Sequence, residues 1–218
     1  MTAKVKQYSF DAILFDLDGV LVDSHTVVER TWQQWSVSRS LHVPDIVRRA
    51  HGRRSFDTVR EIAPHLDTDA EVQWLAEAEL ADLDGIVSLP GAAVALDTLA
   101  EGQRAIVTSG GGALARLRLR HVALPVPDVL VAAEDVREGK PSPEGYLIAA
   151  RRLGVDPSRC AVFEDTPAGI AAGRAAGAMV FGLSTTFPAD ALEAADTIVD
   201  SLASIAINSN QESLILRL

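Results

Sequence analysis

Ala12-Ile13-Leu14-Phe15-Asp16-Leu17-Asp18-Gly19-Val20-Leu21-Val22-Asp23-Ser24 is an apolar run that breaks off in two carboxylates spaced two apart, followed by a glycine. A short continuous apolar run reads as a strand buried on both faces, the kind found in parallel sheets. Its polar ending marks the strand's carboxyl end, where open α/β sheets place their ligands. If extended backbone persists that far, Asp16 and Asp18 point the same way. Two close carboxylates at a buried strand end need a cation, or a shared proton, to coexist. The alternative is that one acid caps the following helix and the other is a solvated loop residue.

The rest of the chain bounds what that strand end serves. A length of 218 residues fits one domain, or a core with a smaller insertion, around a sizeable core. Against 20 Lys+Arg stand 30 Asp+Glu, a net charge of -10, which argues against nucleic acid or an anionic membrane as partner. Residues 1–10 carry Lys4 and Lys6 without a long apolar segment, so no signal peptide is expected. No run of about 18 uninterrupted apolar residues suggests a membrane span. The single cysteine, Cys160, excludes an internal disulfide and fits a reducing cytoplasm; beside Ala161-Val162-Phe163 it reads as core packing.

After the opening strand the pattern is helical. Asp23 or Ser24 caps a helix from 25 toward 39, with Val28, Trp32 and Trp35 on one face. Pro44-Asp45 starts a second over 46–50, ended by His51-Gly52. Ser55-Phe56-Asp57 opens a third with Phe56, Val59 and Ile62 in phase, and Phe56 is expected in the packing of this helical unit. Asp67-Thr68-Asp69 precedes a fourth whose apolar stripe is Val72, Leu75, Ala76, Leu80 and Leu83. The next strand is 104–108. One helix with short loops suffices to cross between parallel strands, yet nearly 80 residues intervene. The economical reading is an all-helical insertion hinged near 22–24 and 89–91, standing over the first strand's end as a lid. Beyond residue 91 helices (92–100, 113–120, 143–153, 167–176) alternate with strands (104–108, 128–132, 160–163, 179–182, and a short 197–199). This alternation predicts an α/β fold, a doubly wound parallel sheet with a Rossmann-like core. The core is assigned to residues 1–23 and 90–218, the helical cap to 24–89. Gly169, Gly173 and Gly177 read as one helix face packed close on the sheet, and the segment from Asn208 onward is uninformative.

Three further strand ends carry polar groups. Thr108-Ser109-Gly110-Gly111-Gly112 offers hydroxyls and backbone amides at a helix N-terminus, suited to an anion, although such turns are common. Glu138-Gly139-Lys140-Pro141-Ser142-Pro143 presents a lysine with Ser142 as N-cap and Pro143 opening a helix. Phe163-Glu164-Asp165-Thr166-Pro167 ends a strand in two acids, with Thr166 a natural N-cap. In a parallel sheet these ends share one edge. Acids from two strands then face a hard cation, and a hydroxyl, amides and a lysine face an anion. Oxygen-only ligation suits Mg²⁺ bridging to a substrate phosphate. The five histidines, 25, 42, 51, 65 and 121, lack zinc-site spacing. Phosphoryl transfer is the reaction class that needs this set.

The four motifs, in this order and spacing over essentially the whole chain, resemble those of the haloacid dehalogenase superfamily, and the helical insertion resembles the cap of its phosphoglucomutase-like branch. His51-Gly52-Arg53-Arg54-Ser55-Phe56-Asp57, the run from Val162 to Gly173 and Ser184-Thr185-Thr186-Phe187 are similar to the glycerol-3-phosphate and 2-deoxyglucose-6-phosphate phosphatases of that branch. The resemblance implies that Asp16 is a nucleophile forming an aspartyl phosphate and Asp18 the acid and then the base. It implies Mg²⁺ on the Asp16 carboxylate, the Asp18 carbonyl and Asp165, with Glu164 as ligand or one shell out. Thr108, the Ser109 amide and Lys140 would bind the phosphoryl oxygens. Asp18 argues against a dehalogenase, which has no alkoxide to protonate. Leu17-Asp18, where the ion pumps carry Lys-Thr, argues against that branch. Substrate choice falls to the cap, with His51, Arg53 and Arg54 as candidates.

The expectation is therefore a cytoplasmic, monomeric, Mg²⁺-dependent phosphatase of a small sugar or polyol phosphate. A β-phosphoglucomutase-like mutase using the same residues is the first alternative, and a non-catalytic phosphometabolite-binding protein the second.

Overall fold

The computed structural model describes residues 6–42, 46–209 and 214–218. Strand β1 (Gln7–Phe10) leads into β2 (Ala12–Phe15), and a tight loop carries the chain to β3 (Val22–Asp23). Four helices follow, α1 (His25–Ser38), α2 (Ile46–Ala50), α3 (Ser55–Ile62) and α4 (Thr68–Ala81), before β4 (Val87–Ser88). The chain then alternates through α5 (Ala92–Thr98), β5 (Arg104–Val107), α6 (Gly112–His121), β6 (Leu130–Val131) and α7 (Glu144–Leu153). It continues through β7 (Cys160–Glu164), α8 (Pro167–Ala175), β8 (Met179–Leu183) and β9 (Thr197–Val199) to a last pair, β10 (Ala206–Ser209) and β11 (Leu214–Arg217).

Six strands form one parallel sheet in the order β6-β5-β2-β7-β8-β9. Phe15 stands level with Ile106 on one side and Phe163 on the other, so Asp16 emerges between the ends of β5 and β7. This is where the strand order reverses, the crevice in which such sheets bind ligands. Every residue of β2, β5 and β7 is buried, as their uninterrupted apolar runs require. One face packs Ile13, Phe15, Ile106 and Phe163 under α5 and α6 through Leu96, Ala115 and Leu119. The other packs Leu14, Val107, Val162 and Val180 under α7 and α8 through Tyr146, Ala150 and Ile170. Cys160 lies in that second core, its thiol pushed up to about 12 by burial, which leaves it an apolar filler.

The inserted helices form a cap with their own core of Trp32, Trp35, Ile46, Ala50, Val59, Ala63 and Leu75. Asp67 caps α4 by accepting from the amides of Asp69 and Ala70. The start of α2 at Pro44-Asp45 lies outside the described residues. The expected stripe on α4 is only partly the buried one. Leu75 is buried, but Ala76 and Leu80 are exposed, and the inward face runs Glu71, Leu75, Glu79. Glu71 is there because Trp35 Nε1 donates to it at 2.6 Å and Arg39 Nε at 2.9 Å. Phe56 is half-buried outside the cap core and lines a groove between α3, α4 and the start of α6. At the cap's base, β3 and β4 pair antiparallel, so the two linking segments run side by side as a ribbon.

The C-terminal segment read as uninformative carries β10 and β11, which with β1 make a three-stranded antiparallel sheet. Leu214 and Leu216 are fully buried in it, and Tyr8 and Phe10 meet Phe181 edge-on. Gly169, Gly173 and Gly177 differ in purpose. Gly173 packs on Val162 and Val180 of the sheet as expected, Gly177 takes a left-handed turn after the helix at φ +88, and Gly169 makes room for the side chain of Glu164.

Candidate active site

Asp16 follows β2 directly, and its amide donates to the carbonyl of Phe163, which extends the strand pairing by one residue. The buried Lys140 reaches in from the loop before α7 and donates to Asp16 Oδ1 at 2.6 Å and to the Val107 carbonyl at 3.2 Å. It also pairs with Glu164 Oε1 at 2.6 Å, the same oxygen that accepts from Tyr146. Glu164 Oε2 takes the Asp165 amide and the Thr166 hydroxyl at 3.2 Å each, while Thr166 Oγ1 accepts from Gly169 and caps α8 as expected. Glu164 is thus fixed on both oxygens, in the space that the missing Cβ of Gly169 leaves.

Asp16, Glu164 and Asp165 bring one carboxylate oxygen each within 4.8 Å of one another, all buried, with Lys140 the nearby cation. Burial raises Asp16 to about 7 against the opposing pull of Lys140. It raises Asp165 well above its ordinary value too, helped by the charges of Asp16 and Glu164. Burial alone would lower the Lys140 ammonium, but the two carboxylates outweigh it and hold the lysine above its ordinary value. Asp165 Oδ1 is buried with no hydrogen-bond partner. Surplus negative charge, an orphaned acceptor and an all-oxygen donor set fit a hard divalent cation such as Mg²⁺. Gly19, at φ +82, passes so close that a Cβ there would lie 1.9 Å from Asp165 Oδ2, so the loop after Asp18 closes over this spot.

Asp18 lies past the end of β2, in a loop drawn tight by Gly19, Leu21 and Val22 amides, yet it lines the same cavity as Asp16. Its Oδ1 accepts from Ser24 Oγ at 2.6 Å and Arg118 Nη1 at 2.8 Å. Ser24 stands at the N-cap position of α1 but its side chain makes no cap; Asp23 instead accepts from the amide of His25. Thr108 Oγ1 accepts from the Gly110 amide, which leaves its own proton to donate. Ser109 Oγ donates to the carbonyl of Gly52 in the cap, so the cap turn sits on the sheet edge.

Of the expected cap residues, His51 and Arg53 line the cavity over Asp16. Arg53 is paired with Glu61 at 2.6 Å. Arg54 is turned away from that cavity, bound to Asp57 at 2.7 Å and to the carbonyl of Val136, so it ties α3 to the loop that carries Lys140. His51 stacks on His25 with ring centres 4.9 Å apart, and burial holds it below its ordinary value. Sequence reasoning missed Glu79 and Arg118, two buried charges in the cavity wall joined at 3.0 Å, and it missed Tyr146 and Thr186, which bind Glu164 and Asp165. The available signal was phase: Arg118 shares a helix face with Ala115 and Leu119, and Glu79 falls four residues after Leu75.

The family model of haloacid dehalogenase-like hydrolases matches residues 10–177. The chain belongs to that family. Among its relatives, the haloacid dehalogenase-like hydrolase is 38% identical over 199 residues to hexitol phosphatase A of Escherichia coli (strain K12), covering 89% of this chain and 92% of that protein. It is 34% identical over 222 residues to glycerol-1-phosphate phosphohydrolase 2 of Saccharomyces cerevisiae (strain ATCC 204508 / S288c), covering 95% and 88%. Its fold matches the crystal structure of β-phosphoglucomutase from Clostridium difficile with a TM-score of 0.80 at 22% identity, over 89% of this chain and 92% of that one. This haloacid dehalogenase-like hydrolase is a phosphoric monoester hydrolase, with the family's parallel sheet and helical cap. Among the described residues no helix is long and apolar enough to cross a membrane.

Proposed function

We propose that the chain is a Mg²⁺-dependent phosphatase of small sugar or polyol phosphates, working through an aspartyl phosphate on Asp16. The observation that carries this reading is Asp16 itself. It is buried at the sheet's switch point with Oδ1 held by Lys140, and beside it Asp165 Oδ1 has no partner. Mg²⁺ held by Asp16, the Asp18 carbonyl and Asp165, with Glu164 behind, would supply the charge that keeps Asp16 ionised and offsets the phosphoryl oxygens.

The chain's own groups then do the following. Asp16 Oδ2 attacks phosphorus, and the P–O bond to the alcohol breaks as Asp18 gives its proton to the departing oxygen. Asp18 next takes a proton from water, whose oxygen attacks the same phosphorus, and the bond to Asp16 breaks to release phosphate. The Thr108 hydroxyl and the Ser109 amide donate to the phosphoryl oxygens, and the Lys140 ammonium, bound to Asp16, the Val107 carbonyl and Glu164, offsets the charge that builds on them. The cap, residues 24–89, covers the site with His51 and Arg53 turned to the organic part. Relatives at 34–38% identity named as phosphatases support hydrolysis over the mutase alternative, whose support is likeness of fold. A non-catalytic role fits poorly with a site in which every reacting position is filled.

Asp16→Asn is expected to abolish Mg²⁺-dependent phosphate release from glycerol phosphates and hexitol or hexose 6-phosphates, a loss of at least about 10³-fold. Undiminished turnover in that variant overturns the covalent route. Isomerised sugar without free phosphate from β-glucose 1-phosphate would overturn the phosphatase reading in favour of the mutase.

A further inference from the structure

Arg118 is the one fully buried arginine among the described residues, at 2% exposure, and it lies in the wall of the catalytic cavity. Its two terminal nitrogens go to carboxylates from different parts of the fold: Nη1 to Asp18 Oδ1 at 2.8 Å, and Nη2 to Glu79 Oε2 at 3.0 Å on cap helix α4. A buried guanidinium is retained at a cost in desolvation, and a hydrophobic residue of similar size often packs there as well. Asp18 Oδ1 accepts both Arg118 and Ser24, and no bond among the described residues ties Oδ2. Two donors on one oxygen restrain the carboxyl's rotation and leave the other oxygen of this cavity-lining residue free to carry a proton.

We propose that Arg118 is a positioning residue for Asp18, anchored from the cap by Glu79, so that the acid of the reaction is aimed by a link that ends on the cap. The inference rests on the phosphatase reading, in which Asp18 protonates the departing alcohol. Arg118 touches neither phosphorus nor the leaving oxygen; it acts through Asp18. A misplacement of about 1 Å in such a group costs on the order of 100-fold in rate. That loss falls on the step in which the proton is delivered.

The test compares two esters in single turnover: an alkyl ester, a hexitol 6-phosphate or glycerol 3-phosphate, and 4-nitrophenyl phosphate, whose phenolate leaves with little need of a proton. Arg118→Met is expected to slow cleavage of the alkyl ester about 10- to 100-fold. It should slow that of the aryl ester at least about three times less, with KM for the alkyl ester moved less than about threefold. Arg118→Lys should recover part of the alkyl rate, and Glu79→Gln should shift the alkyl-to-aryl ratio in the same direction by a smaller factor. Because Glu79→Gln and Arg118→Lys keep volume and a polar partner, they carry the test should Arg118→Met not fold. Equal slowing of both esters in these variants, an effect confined to KM, or an alkyl rate at the wild-type level overturns the proposal. Wild-type turnover of both esters alongside an unshifted ratio refutes the positioning role and leaves the phosphatase reading standing.

Discussion

Glu164 shows how one side chain sets the tolerance of its surroundings. It is anchored by Lys140, Tyr146 and Thr166, and it occupies the place a Cβ of Gly169 would take, 1.8 Å from Oε1. Gly169→Ala therefore forces a fixed carboxylate to move, and overpacking of this kind costs about 1–3 kcal/mol. A lower melting temperature together with lower turnover is expected, because Lys140 and Asp16 shift with Glu164. Gly102→Ala, at a position with open space, serves as control and should change neither. A Gly169→Ala protein as stable and active as the parent would show that Glu164 is not held as described. The identity of Glu164 and Asp165 as acids at a strand end was legible in the chain. That one is fully bound and the other has a vacant acceptor was not, since Tyr146 and Thr186 come from elements distant in sequence.

At the scale of elements, the strands and helices of the parallel core follow the written pattern within a residue or two, because β2, β5 and β7 are buried on both faces and each helix has one apolar side. The antiparallel sheet of β1, β10 and β11 escaped notice. Its strands are four residues long, Ala206–Ser209 alternates exposed and half-buried positions, and the apolar triplet Leu214-Ile215-Leu216 is too short to mark a strand by itself. Its register with β1 depends on chain ends some 200 residues apart. β1 feeds the start of β2, so this sheet lies at the end of the parallel strands opposite Asp16. Leu216→Ala is expected to lower stability by about 2–5 kcal/mol while kcat stays within about twofold, measured by thermal unfolding and steady-state turnover. A loss of kcat at a temperature where the variant is folded would refute that separation. On α4 the apolar stripe misled, because Glu71 and Glu79 are buried by partners on other helices, Trp35 with Arg39 and Arg118.

For the whole molecule, the grouping of Asp16, Glu164 and Asp165 links stability to pH and, in the proposed role, to metal. Burial raises the folded-state values of Asp16, to about 7, and of Asp165. The folded chain then holds protons that the unfolded chain has released above about pH 4. Without a divalent ion its stability is fully present below that point and falls as pH rises toward 7. Mg²⁺ in the proposed site would compete with those protons. At about 100 times its dissociation constant it contributes about 2.7 kcal/mol, or roughly 5–10 °C in melting temperature for a chain of this size. Scanning calorimetry with EDTA and with Mg²⁺ should show that gain near pH 7.5 and much less near pH 5. A metal effect that is the same at both pH values, or a metal-free protein that gains stability across this window, would contradict the assignment of the cluster.

The chain by itself determined the α/β alternation, the insertion after the first strand and the four polar strand ends, because each is carried by local pattern: buried runs, helical phase, caps and glycines. A parallel sheet then has only one edge on which such ends can meet. What only the tertiary structure decided is which charges are buried and how they pair. Arg118 between Asp18 and Glu79 and Arg54 turned to the Lys140 loop depend on contacts across 39 to 100 residues of sequence, and the orphaned oxygen of Asp165 is left by the packing around it. Burial of a charge is stable only where a partner waits, and that partner is set by packing.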